Sequence, residues 1–235
     1  MLRIVAHDLK NPLSAVIGFT TLIKEATSKS GENNIYKFAT QIYLAANNMN
    51  NLINDFLVSA INDATDFDLH LSIFSISDCV RNVIFSLENQ IQSKSQKIIQ
   101  HNSVDNFYTN SDLNKFTEVI ENIISNAITY SDFGKTITVN IFNNNHSVIV
   151  GITDEGPGFS SEDKEKVFGK FQKLSAKPTG NETSTGLGLH ISKRIIDRLG
   201  GDIWFDTVLG NGSTFYISVP EYVAYSNIEK EMIRP

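Results

Sequence analysis

The stretch "HDLKNPL", residues 7–13, sets a histidine beside an acid, with an amide and a proline four and five positions further on. Imidazole titrates close to neutral pH, so His7 combines a nucleophilic ring nitrogen with the capacity to carry a proton. Asp8 follows it directly, and Asn11 lies one helical turn beyond it on the same face. Pro12 lacks the N–H that would bond to the carbonyl of Asp8, and its ring crowds that turn, so a kink is expected beside the histidine. His7 stands two positions, about 200° around a helix, from the apolar Val5, which turns it away from an apolar seam and into solvent.

Four further stretches together suggest a nucleotide site. "ENIISNAITYS" places Asn122 and Asn126 four apart on one helical face, where two amide oxygens can help ligate a magnesium ion and its waters. "DEGPGF" follows a β-rich run with Asp154, Gly156 and Gly158, a turn in which a ligand can come close to backbone. "TGLGLHISKRI" puts Gly186 and Gly188 just ahead of a helix, whose first N–H groups and dipole favour phosphate. "GNGSTFYISVP" adds Gly210, Gly212 and Thr214 at the start of a last strand. Each stretch alone reads as a surface turn or a solvated face; their order and spacing make the site.

These residues need elements to hold them. Val5, Leu9, Leu13, Val16, Thr20 and Ile23 mark a first helix, and "SKSGENN" is a polar loop. Ile35, Phe38, Ile42, Ala45, Met49, Leu52 and Phe56 then alternate spacings of three and four, the pattern of a heptad seam. The two helices form a hairpin that cannot bury its apolar positions alone. A second copy completing a dimeric four-helix bundle is expected, with packing on the chain's own second domain as the alternative. After a link of mixed character, helices are expected over Cys79–Ser93, Leu113–Thr129 and Gly188–Leu199. Strands are expected over "KIIQHN", Thr136–Phe142, Ser147–Asp154, Asp202–Thr207 and Ser213–Val219. The sum is an α+β two-layer sandwich. The domains predicted are a helical hairpin over 1–66, a sandwich over 67–222 and a tail over 223–235.

Composition narrows the partners. The chain has 235 residues, is 41% hydrophobic and carries 26 acidic against 20 basic residues for a net charge of −6, so nucleic acid is not an expected partner. The single cysteine, Cys79, cannot form an internal disulfide, which fits a reducing, cytoplasmic compartment. No apolar run approaches the length of about 18 residues that spans a bilayer, so any membrane attachment is expected through segments outside this chain. The start at "MLRIVAH" reads as mid-helix and suggests a fragment of a longer protein.

Taken together, the motifs resemble those of the histidine protein kinases of two-component signalling. Asn122 and Asn126 match an asparagine box, Asp154, Gly156 and Gly158 a first glycine box, Phe168 and Phe171 in "VFGKFQKL" a phenylalanine box, and Gly186 and Gly188 a second glycine box. "VAHDLKNPLSAVIGF" is similar to the phosphoacceptor box, so the likeness runs from Leu2 to Pro220. The resemblance implies a dimerisation and phosphotransfer hairpin joined to an ATP-binding domain of the type shared with gyrase, mismatch-repair and heat-shock ATPases. His7 would be the phosphorylated nucleophile, Asp8 its acid partner, and Asn11 would position water for dephosphorylating a response regulator. ATP would be held by Asp154 at the adenine with Tyr130 close by, by Thr185, Gly186, Leu187 and Gly188 at the phosphates, and by Phe168, Phe171 and Thr214. Asn122 and Asn126 would hold Mg2+, and residues 172–185 would form a lid. The regulator's receiver domain would dock on the hairpin, along Ser14, Ile17, Gly18 and Thr21. The family commonly has a lysine three residues after the second asparagine; this chain has Thr129, with Lys173, Lys177 and Lys193 as candidates to compensate. That departure leaves a catalytically weak dimeric scaffold or phosphatase as the alternative. A superfamily ATPase or chaperone would have no use for "HDLKNPL".

Overall fold

The computed structural model describes residues 13–23, most of 35–49, and 68–103, 107–144, 146–172, 174–180 and 186–223. The chain divides into two compact units, Met1–Phe67 and Asp68–Pro235. In the first unit residues 13–23 (α1) and the described residues of 35–49 (α2) are helical. Phe19 and Phe38 stack between them, with ring centroids 6.1 Å apart. On α2 the predicted seam positions Ile35, Phe38, Ile42, Ala45 and Met49 are buried or half-buried, as is the neighbouring Gln41. On α1 the inward residues are Ala15, Val16, Phe19 and Ile23, whereas Leu13 and Thr20, expected in the seam, are exposed. Phe19 takes the inward position because a large ring buries far more apolar area than a threonine side chain.

The second unit runs β1 (Leu71–Ser75), α3 (Ile76–Ser86), α4 (Glu88–Ser93), β2 (Lys97–Asn102), β3 (Tyr108–Asp112), α5 (Leu113–Tyr130), β4 (Thr136–Asn144), β5 (Ser147–Asp154), α6 (Ser161–Lys164), α7 (Gly188–Arg198), β6 (Asp202–Thr207) and β7 (Ser213–Pro220). Five strands form one sheet in the order β2-β4-β5-β7-β6, and β1 pairs with β3 in a separate ribbon. Only β2 and β4 run parallel; the other pairs are antiparallel. Strand alternation sends Ile137, Val139 and Ile141 of β4 and Phe215, Ile217 and Val219 of β7 to the buried face. The other face carries half-buried Thr138, Asn140, Thr214 and Tyr216, and there Trp204 stacks on Tyr216 at 5.3 Å.

The helical layer centres on α5. Its buried stripe, Phe116, Val119, Ile120, Ile123, Ile124, Ala127 and Ile128, follows the three-and-four spacing that covers one helical face. Asp112 caps its start by accepting from the Lys115 N–H at 3.0 Å. Its end has no basic residue in the last turn. The connection before β2 supplies donors there instead: the Lys94 ammonium reaches the Ile128 and Thr129 carbonyls, each at 3.0 Å, and the Gln96 amide reaches those of Ile128, Ser131 and Asp132 at 3.0–3.1 Å. These bonds satisfy carbonyls that no helical N–H can reach.

The helix expected over Cys79–Ser93 begins earlier and is two helices that meet at Leu87. Ser75, whose hydroxyl accepts from the Asp78 N–H at 3.2 Å, caps the first. β1, β3 and the short α6 are elements that the apolar pattern did not suggest.

Because Ile120 is wholly buried in this stripe, Ile120→Ala should cost about 2–5 kcal/mol. Urea denaturation of the full chain measures it; a loss below about 1 kcal/mol would contradict the packing described.

Candidate functional site

Several of the side chains expected to be functional collect around the second half of α5. Asn122 is half-buried and donates from Nδ2 to the Ser192 hydroxyl of α7 at 2.8 Å. That bond draws the two helices together at Gly188, where an added Cβ would lie 2.5 Å from Asn122 Oδ1. Gly188 is therefore required by helix packing as well as by its place at the helix start. Asn126, one turn on, is half-buried and makes no side-chain hydrogen bond among the described residues. One amide is thus fixed in place, and the other is uncommitted.

Asp154 ends β5 and is 9% exposed. Its Oδ1 accepts from the Gly156 N–H at 2.8 Å and the Ser213 N–H at 3.3 Å, while its other oxygen has no partner among the described residues. Burial pushes the Asp154 carboxyl above the ordinary carboxylate range, against the lowering by these two N–H groups. Gly156 also abuts Tyr130: a Cβ there would stand 3.0 Å from the Tyr130 carbonyl oxygen. Tyr130, Asp154 and Gly156 therefore form one corner, with the asparagines on the preceding turns of α5.

Gly158 (φ 64°) presses its backbone on the Val208 carbonyl, and Gly186 (φ 69°) closes on the Gln172 backbone. Both positions need the left-handed conformation and the missing side chain. Leu187 is buried at the start of α7, which no side chain caps. Phe168 packs on Phe205 at 5.8 Å in an aromatic cluster that Phe159 and Phe215 complete, and its carbonyl lies 3.1 Å from His190 Nδ1. Phe171 adopts φ 58°, with Lys170 5.8 Å from its ring centroid. Phe159, Phe205 and Ser213 escaped the sequence reading. "DEGPGF" held the first of them, but the partners come from strands about fifty residues away.

Two expectations are corrected. Thr214 does not join this corner: the β5–β7 register sets Asp154 opposite Ser213, and strand alternation turns Thr214 to the other face. There it bonds Thr153 (2.9 Å between hydroxyls) and lines an open groove with His101, Asn140 and Tyr216. Lys193 does not replace the cation missing at position 129, because its ammonium pairs with Asp202 at 2.7 Å and Asp197 at 2.9 Å. Lys177 is exposed. His7, Asp8, Asn11, Pro12, Lys173 and Thr185 lie outside the described residues.

Comparison with known proteins decides the family. The profile of the His Kinase A phospho-acceptor domain matches residues 1–64, and that of the histidine kinase-, DNA gyrase B- and HSP90-like ATPases matches residues 111–223. The chain belongs to the two-component histidine kinases. The sensor histidine kinase WalK of Bacillus subtilis is 30% identical over 224 residues, 92% of this chain and 35% of that protein. The adaptive-response sensory kinase SasA of Crocosphaera subtropica is 30% identical over 229 residues, 94% of this chain and 59% of that protein. This kinase core thus spans between about a third and three-fifths of those relatives. Histidine kinase ThkA, solved in complex with the response regulator protein TrrA, shares the fold with a TM-score of 0.74 at 23% identity, over 93% of this chain and 60% of that one. AdeS of Acinetobacter baumannii gives 0.69 at 23% identity, over 92% and 98%.

A carboxyl raised by burial in the kinase core leaves stability intact below its unfolded value of about 3.9 and reduces it as pH climbs through the raised folded value. Asp154→Asn keeps an oxygen acceptor and removes the charge. Its stability relative to wild type should increase from pH 4 towards pH 7 in urea titrations; a pH-independent difference would refute the burial effect.

Proposed function

We propose that the chain is the autophosphorylating core of a sensor kinase, passing the γ-phosphoryl group of ATP to His7 and from there to an aspartate on a response regulator's receiver domain. What carries this reading is the presence in one chain of a phosphoacceptor segment and an ATPase domain whose asparagine helix and buried aspartate share a corner. The complex of the related ThkA with its regulator supports the same class of partner.

Each residue then has a task. The unpartnered oxygen of Asp154 accepts from the adenine amino group, beside Tyr130. The α7 start at Gly186, Leu187 and Gly188 faces the phosphates, a favourable place for negative charge. Phe168 and Phe171 anchor the segment beyond them. The fit to magnesium rests on amides: Asn126 is uncommitted and Asn122 keeps its oxygen. Among the described residues no cluster of His, Cys, Asp and Glu could hold a metal. That suits an ion that takes few protein oxygens and shares the rest with phosphates and water. Bound there, Mg2+ would neutralise charge developing on the phosphates.

His7 Nε2 attacks the γ-phosphorus, the bond from that phosphorus to the β,γ-bridging oxygen breaks, ADP leaves, and Asp8 takes the Nδ1 proton. An aspartate of the receiver domain then attacks the phosphorus and the N–P bond breaks, restoring neutral His7 as its proton returns. Asn11 positions water for the reverse regulation, hydrolysis of the regulator's phosphoaspartate, and the kink that Pro12 is expected to cause would let His7 swing between docked positions. A second copy completes the hairpin's bundle. The exposed Leu13, Ile17, Leu22 and Tyr43 are apolar surface that such a partner and the regulator would cover. No helix among the described residues is long and apolar enough to cross a membrane; a cytoplasmic site of action is part of this proposal.

The test is incubation with γ-labelled ATP and Mg2+, scoring acid-labile, alkali-stable label. Wild type should label, with His7→Gln and Asn126→Ala reduced at least tenfold. No label with retained regulator binding would favour the scaffold reading. Pro12→Ala should alter the ratio of kinase to phosphatase activity, and equal activities would remove the hinge. Sedimentation of the wild type at the monomer mass would remove the dimer.

A further inference from the structure

The described residues 174–180 are held to the domain at two points that no motif assigns. Ser175 donates its N–H to both Asp163 carboxylate oxygens at 3.3 Å, and its hydroxyl bonds Asp163 Oδ2. Asp163 is buried and also accepts from the Ser160 hydroxyl at 2.9 Å. Four residues on, Thr179 donates its N–H to the Thr129 carbonyl at 3.1 Å. Its hydroxyl lies 3.0 Å from the Thr129 carbonyl and 2.9 Å from that of Ser131, and accepts from Lys94 Nζ at 2.8 Å.

Lys94 is 4% exposed, a costly place for an ammonium unless it is well bonded. It is stable there because its neighbours are carbonyls at the negative end of α5, together with the Thr179 hydroxyl. Thr179 uses the backbone of residue 129, not its side chain, so the threonine that replaces the family's lysine does not disturb the contact. Nor is Lys94 that lysine's stand-in at a phosphate, because its ammonium is engaged by helix carbonyls.

The consequence lies between the two bonded carbonyls. Thr129 and Ser131 flank Tyr130, whose own carbonyl abuts Gly156, and Gly156 donates to Asp154. We infer that Thr179 and Lys94 are positioning residues for the nucleotide: they clamp residues 174–180 onto the end of the asparagine helix and hold the Tyr130–Gly156–Asp154 corner in register. This rests on the nucleotide reading above, since the corner is the one assigned to the adenine. A hydroxyl that accepts from a buried ammonium and donates to a helix-end carbonyl cannot be replaced by a methyl without leaving both groups short of a partner.

The test uses the full chain carrying Thr179→Val, Thr179→Ser, Lys94→Met or Thr179→Val with Lys94→Met. Hydrogen exchange of peptides covering 174–180 is followed without nucleotide, and release of a fluorescent N-methylanthraniloyl ATP is followed by stopped flow. Thr179→Val and Lys94→Met should each exchange at least tenfold faster in 174–180 and release the nucleotide at least fivefold faster, with KM for ATP raised more than kcat is lowered. Thr179→Ser should stay within twofold of wild type, and the double variant should be less impaired than the two single effects combined, because the Thr179–Lys94 bond is common to both. Unchanged exchange in 174–180 of Thr179→Val overturns the clamp. Faster exchange with unchanged release overturns the positioning role while leaving the nucleotide reading intact. A wild type that does not bind the ATP analogue overturns both.

Discussion

An amphipathic helix can bury only one stripe, and the second unit depends on where α5 puts that stripe. With Phe116 through Ile128 turned into the core, the half-buried Asn122 and Asn126 are left on the flank that borders α7. The Asn122–Ser192 bond then sets how closely α7 approaches, and Gly188 is the residue that permits that distance. The end of the same helix meets Gly156 and so reaches Asp154. Packing and chemistry are thus two faces of one element.

The polar groups here are committed to different degrees. Asn122 is tied to a neighbour, Asn126 is not; one Asp154 oxygen takes two N–H groups, the other none among the described residues. The proposed nucleotide site would use that inequality, with some atoms held as framework and others kept available.

Sequence alone revealed the parts governed by strong local periodicity. The α5 stripe, the alternation in β4 and β5 and the glycine turns all carry their signal within a few residues, and these elements lie within two residues of where the pattern put them. β1 and β3 lacked such a signal because they form a two-stranded ribbon: "YTNSD" is almost wholly polar, and Leu71 and Ile73 of β1 stay exposed. Thr214 was misplaced because composition marks the strand but not which face a given position takes; the register with β5 decides that. Lys193, Lys94 and Thr179 were beyond reach for a related reason. Lys94 and Thr179 meet from segments 85 residues apart, and Lys193 reaches Asp202 of β6 besides Asp197 one turn on in its own helix; no local pattern announces the meetings between elements.

The pairing of Trp204 with Tyr216 also bears on how this molecule can be watched. Trp204 is the sole tryptophan of the chain, and it belongs to the second unit, on the sheet face opposite the buried core. Intrinsic indole emission therefore reports on the integrity of the β6–β7 edge, and no tryptophan of the helical hairpin adds to it. The two units are optically separable without a label: indole fluorescence follows the sandwich, and loss of helical dichroism not matched by it belongs to the hairpin.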